Sequence, residues 1–233
     1  METVNPFVGV IGPSFSGKST LINDLSMWAQ GKVTTVFEMC EYAGGNHNFR
    51  RIPFQSAIDA QENIHDFIEW EKRRCQDARR LYEKTGLPVV IDRTIYCVLL
   101  TQLLIKEFQP EWFNSFEYAI EEISSAVDAS QIFIPSRLIL MNSSSEDVFQ
   151  LRSKRGVSVG MFMQPDVRNF LYQKYKVLAM AYLPRSVAYL SSDNGPTSRQ
   201  DLVTDALRFI GDSQPTEVSL KLLKIWRLQN GQS

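Results

Sequence analysis

The chain lacks an excess of charge of either sign. Its 25 Lys and Arg against 26 Asp and Glu leave a formal net charge of −1, so the broad basic field that usually attracts nucleic acid is missing and no nucleic-acid partner is expected. It is also poor in crosslinking and metal-binding side chains. The three cysteines, Cys40, Cys75 and Cys97, form no CxxC pair, and the two histidines, His47 and His65, are too few to complete a zinc site with them. Reduced structural thiols in a cytoplasmic protein are the expectation. No window approaches the roughly 18 uninterrupted apolar residues of a membrane span, and the opening METVNPFVGV has no basic region leading into a long apolar run. A membrane partner is therefore not expected.

What is present suits one folded unit over residues 1–233, at 44% hydrophobic and 22% charged. Short runs rich in Val, Ile and Leu recur at 6–11, 32–37, 87–92, 136–141 and 186–191. They are continuously apolar rather than alternating, which suits strands covered on both faces by helices. The expectation is a three-layer α/β/α fold around a parallel five-stranded sheet.

Helical periodicity fills the intervals. Leu21, Leu25 and Trp28 mark one face of a first helix, and Ile58, Ile64, Phe67, Ile68 and Leu81 run along a long charged one that Gly86 would cap. Further helices are expected at 94–108, 110–128, 144–153, 165–181 and 198–211. The basic, glycine-bearing segment RSKRGVSVGMFMQP, over about 152–164, reads as a mobile loop. An amphipathic helix is expected over about 215–229, packed on its own domain.

The most specific stretch is GPSFSGKST, between the first strand and the first helix. It satisfies G-x-x-x-x-G-K-[ST] at every fixed position. Such a loop turns backbone N–H groups onto phosphates, its lysine neutralises the β- and γ-phosphates, and its hydroxyl ligates magnesium at a helix N-terminus that itself favours anions. ATP and Mg²⁺ are the implied cofactors, with Gly12, Ser14, Ser16, Gly17, Lys18, Ser19 and Thr20 as cofactor-binding residues.

Two features separate classes of phosphate-loop protein. After LILM the chain reads NSSSED, without the Asn-Lys-x-Asp of a guanine-specific switch. The strand PVVID runs into Asp92, Arg93 and Thr94 rather than into paired acids. At a strand tip a carboxylate can organise a magnesium shell and a guanidinium can grip a phosphate or hydroxyl. Ser19 and Asp92 are thus the candidate metal residues.

From GPSFSGKST, GLPVVIDRTIYCVLLTQ and the basic LRSKRG before MFMQPDVRNFLYQKY, the chain resembles the thymidylate kinase and deoxynucleoside kinase group over most of residues 7–210. That resemblance implies ATP-dependent phosphoryl transfer. Asp92 and Arg93 would sit between donor and acceptor, Gln102 would touch the acceptor, and Arg152, Lys154 and Arg155 would belong to a lid that closes on the transferring group. Thymidylate kinases carry Arg-Glu-Pro-Gly-Gly after the second strand, where this chain has FEMCEYAGGNHNFRR. Deoxynucleoside kinases place a glutamate there as base, and Glu38 stands in a comparable position.

The acceptor stays open at this level. A hydroxyl profits from a general base, which Glu38 or Glu41 could supply, whereas a phosphate needs cations such as Arg50–Arg51 or Arg73–Arg74. The reading is a small-molecule kinase whose acceptor is a nucleoside or nucleoside monophosphate. Lys18, Glu38, Asp92, Arg93, Arg152 and Arg155 are its catalytic candidates, and Glu38, Phe67, Arg74, Arg93 and Gln102 its substrate-binding candidates; Phe49 and Phe54 could also stack on a base. A kinase for another hydroxylated metabolite or antibiotic is an alternative, as is an ATP-dependent binding module with little turnover. Whether the chain forms a homodimer is not decided by sequence.

Overall fold

In the computed structural model, residues 5–14, 16–44, 54–142, 164–182, 184–192 and 197–212 are described. The first strand, β1 (Phe7–Ile11), leads through the glycine loop into α1 (Lys18–Trp28), followed by β2 (Thr34–Val36), a single turn α2 (Met39–Tyr42) and the long α3 (Ala57–Thr85). Next come β3 (Val89–Asp92), α4 (Tyr96–Phe108), α5 (Phe116–Asp128), β4 (Arg137–Asn142), α6 (Pro165–Met180), β5 (Val187–Ser191) and α7 (Thr197–Asp212). All five strands are parallel, in the order β2-β3-β1-β4-β5. The three-layer α/β/α architecture is the expected one.

Strand pleat sorts the two cores. On one face Val8 and Val10 join Val90, Ile139 and Met141 beneath Leu21, Leu25, Val203 and Ile210 of α1 and α7. On the other, Ile11, Leu138 and Leu140 pack with α3, α4, α5 and α6, while Phe7, Val36, Val89 and Ile91 meet Ala78 of α3. Every residue of β1 and β3 is buried, the reason these strands read as unbroken apolar runs.

Local capping explains the length of α3. Ser56 accepts the amide of Asp59 at its N-terminus, and Gly86, at φ 67°, closes its C-terminus through an N–H to the Tyr82 carbonyl. Some boundaries differ from the sequence expectation. The helix expected at 110–128 starts at Phe116, because the Ser115 amide donates to the Gln102 side chain and Asn114 takes the Phe116 amide. Trp28 does not share the buried face of α1: it is half exposed beneath the Arg199 guanidinium. Ile58 of α3 is exposed as well. The helix expected at 144–153, the lid at 152–164 and the terminal helix at 215–229 lie outside the described residues.

Candidate functional site at the carboxyl edge of the sheet

Parallel strands bring all their carboxyl ends to one edge, and the order of the sheet reverses direction at β1, which has β3 on one side and β4 on the other. Crevices at such a reversal are where open α/β sheets bind ligands. The 12–19 loop leaves β1 at this point. Gly12 holds φ 144°, and a Cβ there would stand 2.2 Å from the Met141 carbonyl oxygen, so only glycine lets the loop pass the end of β4. Gly17 holds φ 88° at the start of α1. No side chain caps that helix and no acid occupies its first turn, leaving its leading N–H groups open to an anion.

Lys18 is buried and folds back on its own loop. Its Nζ donates to the Pro13 carbonyl at 2.6 Å and reaches Ser16 Oγ at 3.4 Å. Burial, reinforced by the nearby Arg93 charge, brings its pKa down to about 7. A polyanion placed in the loop would restore the charged form. Ser16 is buried beside it, whereas Ser14 is half-buried and Thr20 is exposed.

Asp92, at the tip of β3, is buried and accepts a hydrogen bond from the Ser19 side chain. Burial and the charge of Glu38 push its pKa up, against the pull of Arg93, Lys18 and Ser19. Its Oδ1 has no hydrogen-bond partner among the described residues. A buried carboxylate oxygen left open beside a hydroxyl is a donor set that fits a hard divalent cation. Among the described residues no group of three or more His, Cys, Asp or Glu could hold a metal ion. Ser19 and Asp92 are the described residues that could hold such a cation.

Arg93 follows in the left-handed region, at φ 63°, with its amide on the Val10 carbonyl. Its guanidinium pairs with the Glu38 carboxylate, and both side chains keep more than a quarter of their surface open, at 29% and 28%. Glu38 reaches it by register. Val36 pairs with Ile91, so two more residues along each strand put Glu38 beside Arg93.

The other candidates divide. Arg74 is buried at 1% exposure, and its guanidinium is taken up by Glu71 and by the backbone of the β3 tip, so it does not lie open to a substrate as expected. Gln102 is also buried; its Oε1 accepts the Ser115 amide at 2.9 Å and ties α4 to the start of α5 instead of facing an acceptor. Phe67 is half-buried, edge-on to Trp70 and packed against the main core, and Phe54 is buried against Ala60 and Ile105. Glu41 lines a separate cavity of about 500 Å³ outside β2, with Phe37, Tyr42, Asp77 and Lys84. Of Glu38 and Glu41, Glu38 is the one that meets Arg93 at the carboxyl edge of the sheet. Phe49, Arg50, Arg51, Arg152, Lys154 and Arg155 lie outside the described residues.

Three neighbours were not legible in the sequence. Tyr175 of α6 is buried and donates to Cys97 Sγ at 3.2 Å, and both side chains lie near Arg93. Glu71 is the third, a carboxylate in a helix crowded with charge. Their sequence signal was nil, because each is brought to the β3 tip by a different helix. Among the described residues no helix is long and apolar enough to cross a membrane.

No family model matches the chain, and no curated protein matches it. Among solved structures it is similar to the YorR protein of Bacillus subtilis, crystallised in complex with phosphorylated GDP. The two share 14% identity over 88% of this chain and 95% of that one, with a TM-score of 0.43.

Proposed function

We propose that the protein is a kinase that transfers the γ-phosphoryl group of ATP to the hydroxyl of a small acceptor of the nucleoside class. One observation carries this reading: the Glu38–Arg93 ion pair stands partly open at the same sheet edge as the Lys18 loop. A loop that only bound a nucleotide would have no use for a carboxylate and guanidinium facing it.

Each group has a task. The 12–19 loop and Lys18 bind the triphosphate and draw charge from its β- and γ-phosphates. Glu38 accepts the proton of the attacking hydroxyl, and Arg93 orients both Glu38 and the acceptor oxygen. Ser19 and Asp92 would hold Mg²⁺, which neutralises charge on the phosphates when bound. Arg152 and Arg155 remain the proposed lid cations, closing over the transferring group and excluding water. A phosphate acceptor is less well served, since a carboxylate repels it and Arg74 is committed elsewhere.

ADP release with ATP, Mg²⁺ and a panel of nucleosides, nucleoside monophosphates and other hydroxylated metabolites tests the proposal. Acceleration by a nucleoside supports it. Acceleration by none of the panel, or by monophosphates alone, overturns it.

A further inference from the structure

A buried ion pair sits under the β3 tip. Arg74 Nη1 is 2.7 Å from Glu71 Oε2, and the two side chains are 1% and 5% exposed. Arg74 Nη2 donates to the carbonyls of Asp92, at 2.7 Å, and Arg93, at 3.2 Å. Glu71 in turn accepts the backbone N–H of Ile95, just before α4. Two residues one helical turn apart thus grip three backbone groups of the 92–95 turn, at Asp92, Arg93 and Ile95. Within that turn lies Arg93, whose φ of 63° is costly for any residue with a Cβ.

We propose that Glu71 and Arg74 form a positioning pair that holds the 92–95 turn with Arg93 in the left-handed conformation, and so sets the Arg93 guanidinium against Glu38. The inference rests on the reading of Glu38 and Arg93 as the acceptor side of the site, and it moves Arg74 from substrate contact to support. A buried pair of this kind is a poor source of stability, since neutral side chains of similar volume often serve as well. What neutral side chains cannot replace is the fork. A planar guanidinium reaches a carboxylate and two carbonyls at once, and a lysine ammonium lacks that geometry.

Two measurements test this. The first compares urea midpoints of Arg93→Gly and Arg93→Ala, in the parent chain and in Glu71→Gln/Arg74→Met. Glycine at 93 has no left-handed penalty, so Arg93→Gly should have the higher midpoint in the parent, and the difference should vanish once the turn is released. An undiminished difference overturns the proposal whatever the protein's activity. Arg74→Lys serves in place of the double variant if that fails to fold.

The second is kinetic. Arg74→Lys should lower kcat at least tenfold with the KM for ATP within twofold, and should cost nothing further in an Arg93→Ala background. A rise in acceptor KM alone, with kcat kept, would make Arg74 a substrate contact and overturn the proposal. A parent chain that responds to no acceptor defeats the kinase reading, while the urea comparison still decides the role of the pair.

Discussion

The Glu38 carboxylate and the Arg93 guanidinium meet across the carboxyl ends of two neighbouring parallel strands. Their meeting depends on strand register, since the Val36–Ile91 pairing carried two residues further brings position 38 beside position 93. The proposed base and the cation proposed to orient it are therefore placed by the backbone of the sheet, with Lys18 and Asp92 as electrostatic neighbours.

Glu38→Gln keeps the shape of the side chain and removes the base. It is expected to lower kcat with a hydroxyl acceptor by about 100-fold, the ordinary contribution of a positioned base, while the Kd for ATP holds. Steady-state kinetics and calorimetric titration of ATP check the two halves.

Lys18 gives a pH dependence. Its pKa lies near 7 in the free protein, against 10.5 ordinarily, and a bound triphosphate raises it again. Binding at pH 8 to 9 should therefore take up a proton, and affinity should weaken as pH rises through that interval. Calorimetry at pH 8 in buffers of different ionisation enthalpy measures the uptake. Stability of the free protein moves the opposite way. The unfolded chain holds the Lys18 proton up to about pH 10.5 and the folded one only to about 7, so this group makes the fold more stable as pH rises between those values. Lys18→Met should flatten that part of the urea-midpoint profile and abolish triphosphate binding.

Gly12→Ala would bring a Cβ within 2.2 Å of the Met141 carbonyl oxygen at a φ of 144°. The strain should cost about 2 kcal/mol and displace the loop, so that triphosphate binding is lost even where the variant still folds. Urea denaturation gives the first number and calorimetry the second.

Asp24 of α1 is 2% exposed and receives two hydrogen bonds from Arg199 of α7, at 2.5 and 3.0 Å. Arg199→Ala leaves that carboxylate buried without its partner and should cost about 2 kcal/mol. Asp24→Asn, which needs no cation, should cost less. Urea midpoints of the two variants decide the order.

The β3 strand shows what could be read in advance. Val89, Val90 and Ile91 are buried on both faces, so their unbroken apolarity announced a covered parallel strand, and Gly86 announced the end of α3 because only a left-handed residue closes it there. The 12–19 loop was equally legible, because its backbone conformation needs glycines at set spacing. Arg74 was not. Nothing in RRCQDARR separates a buried arginine from its exposed neighbours, since the difference is which side of α3 lies against the sheet. Gln102 followed the same course, a polar side chain whose partner, Ser115, is supplied by the next helix.

By itself, the sequence determined the order of strands and helices, their parallel layering and the glycine turns of the 12–19 loop, since each depends on short-range periodicity and on glycine torsions. Only the tertiary structure decided which charges meet. It drew Glu38 to Arg93 and left Glu41 outside, and it turned Arg74 inward to hold the strand tip, because pairing and burial are set by strand register and helix packing between distant segments.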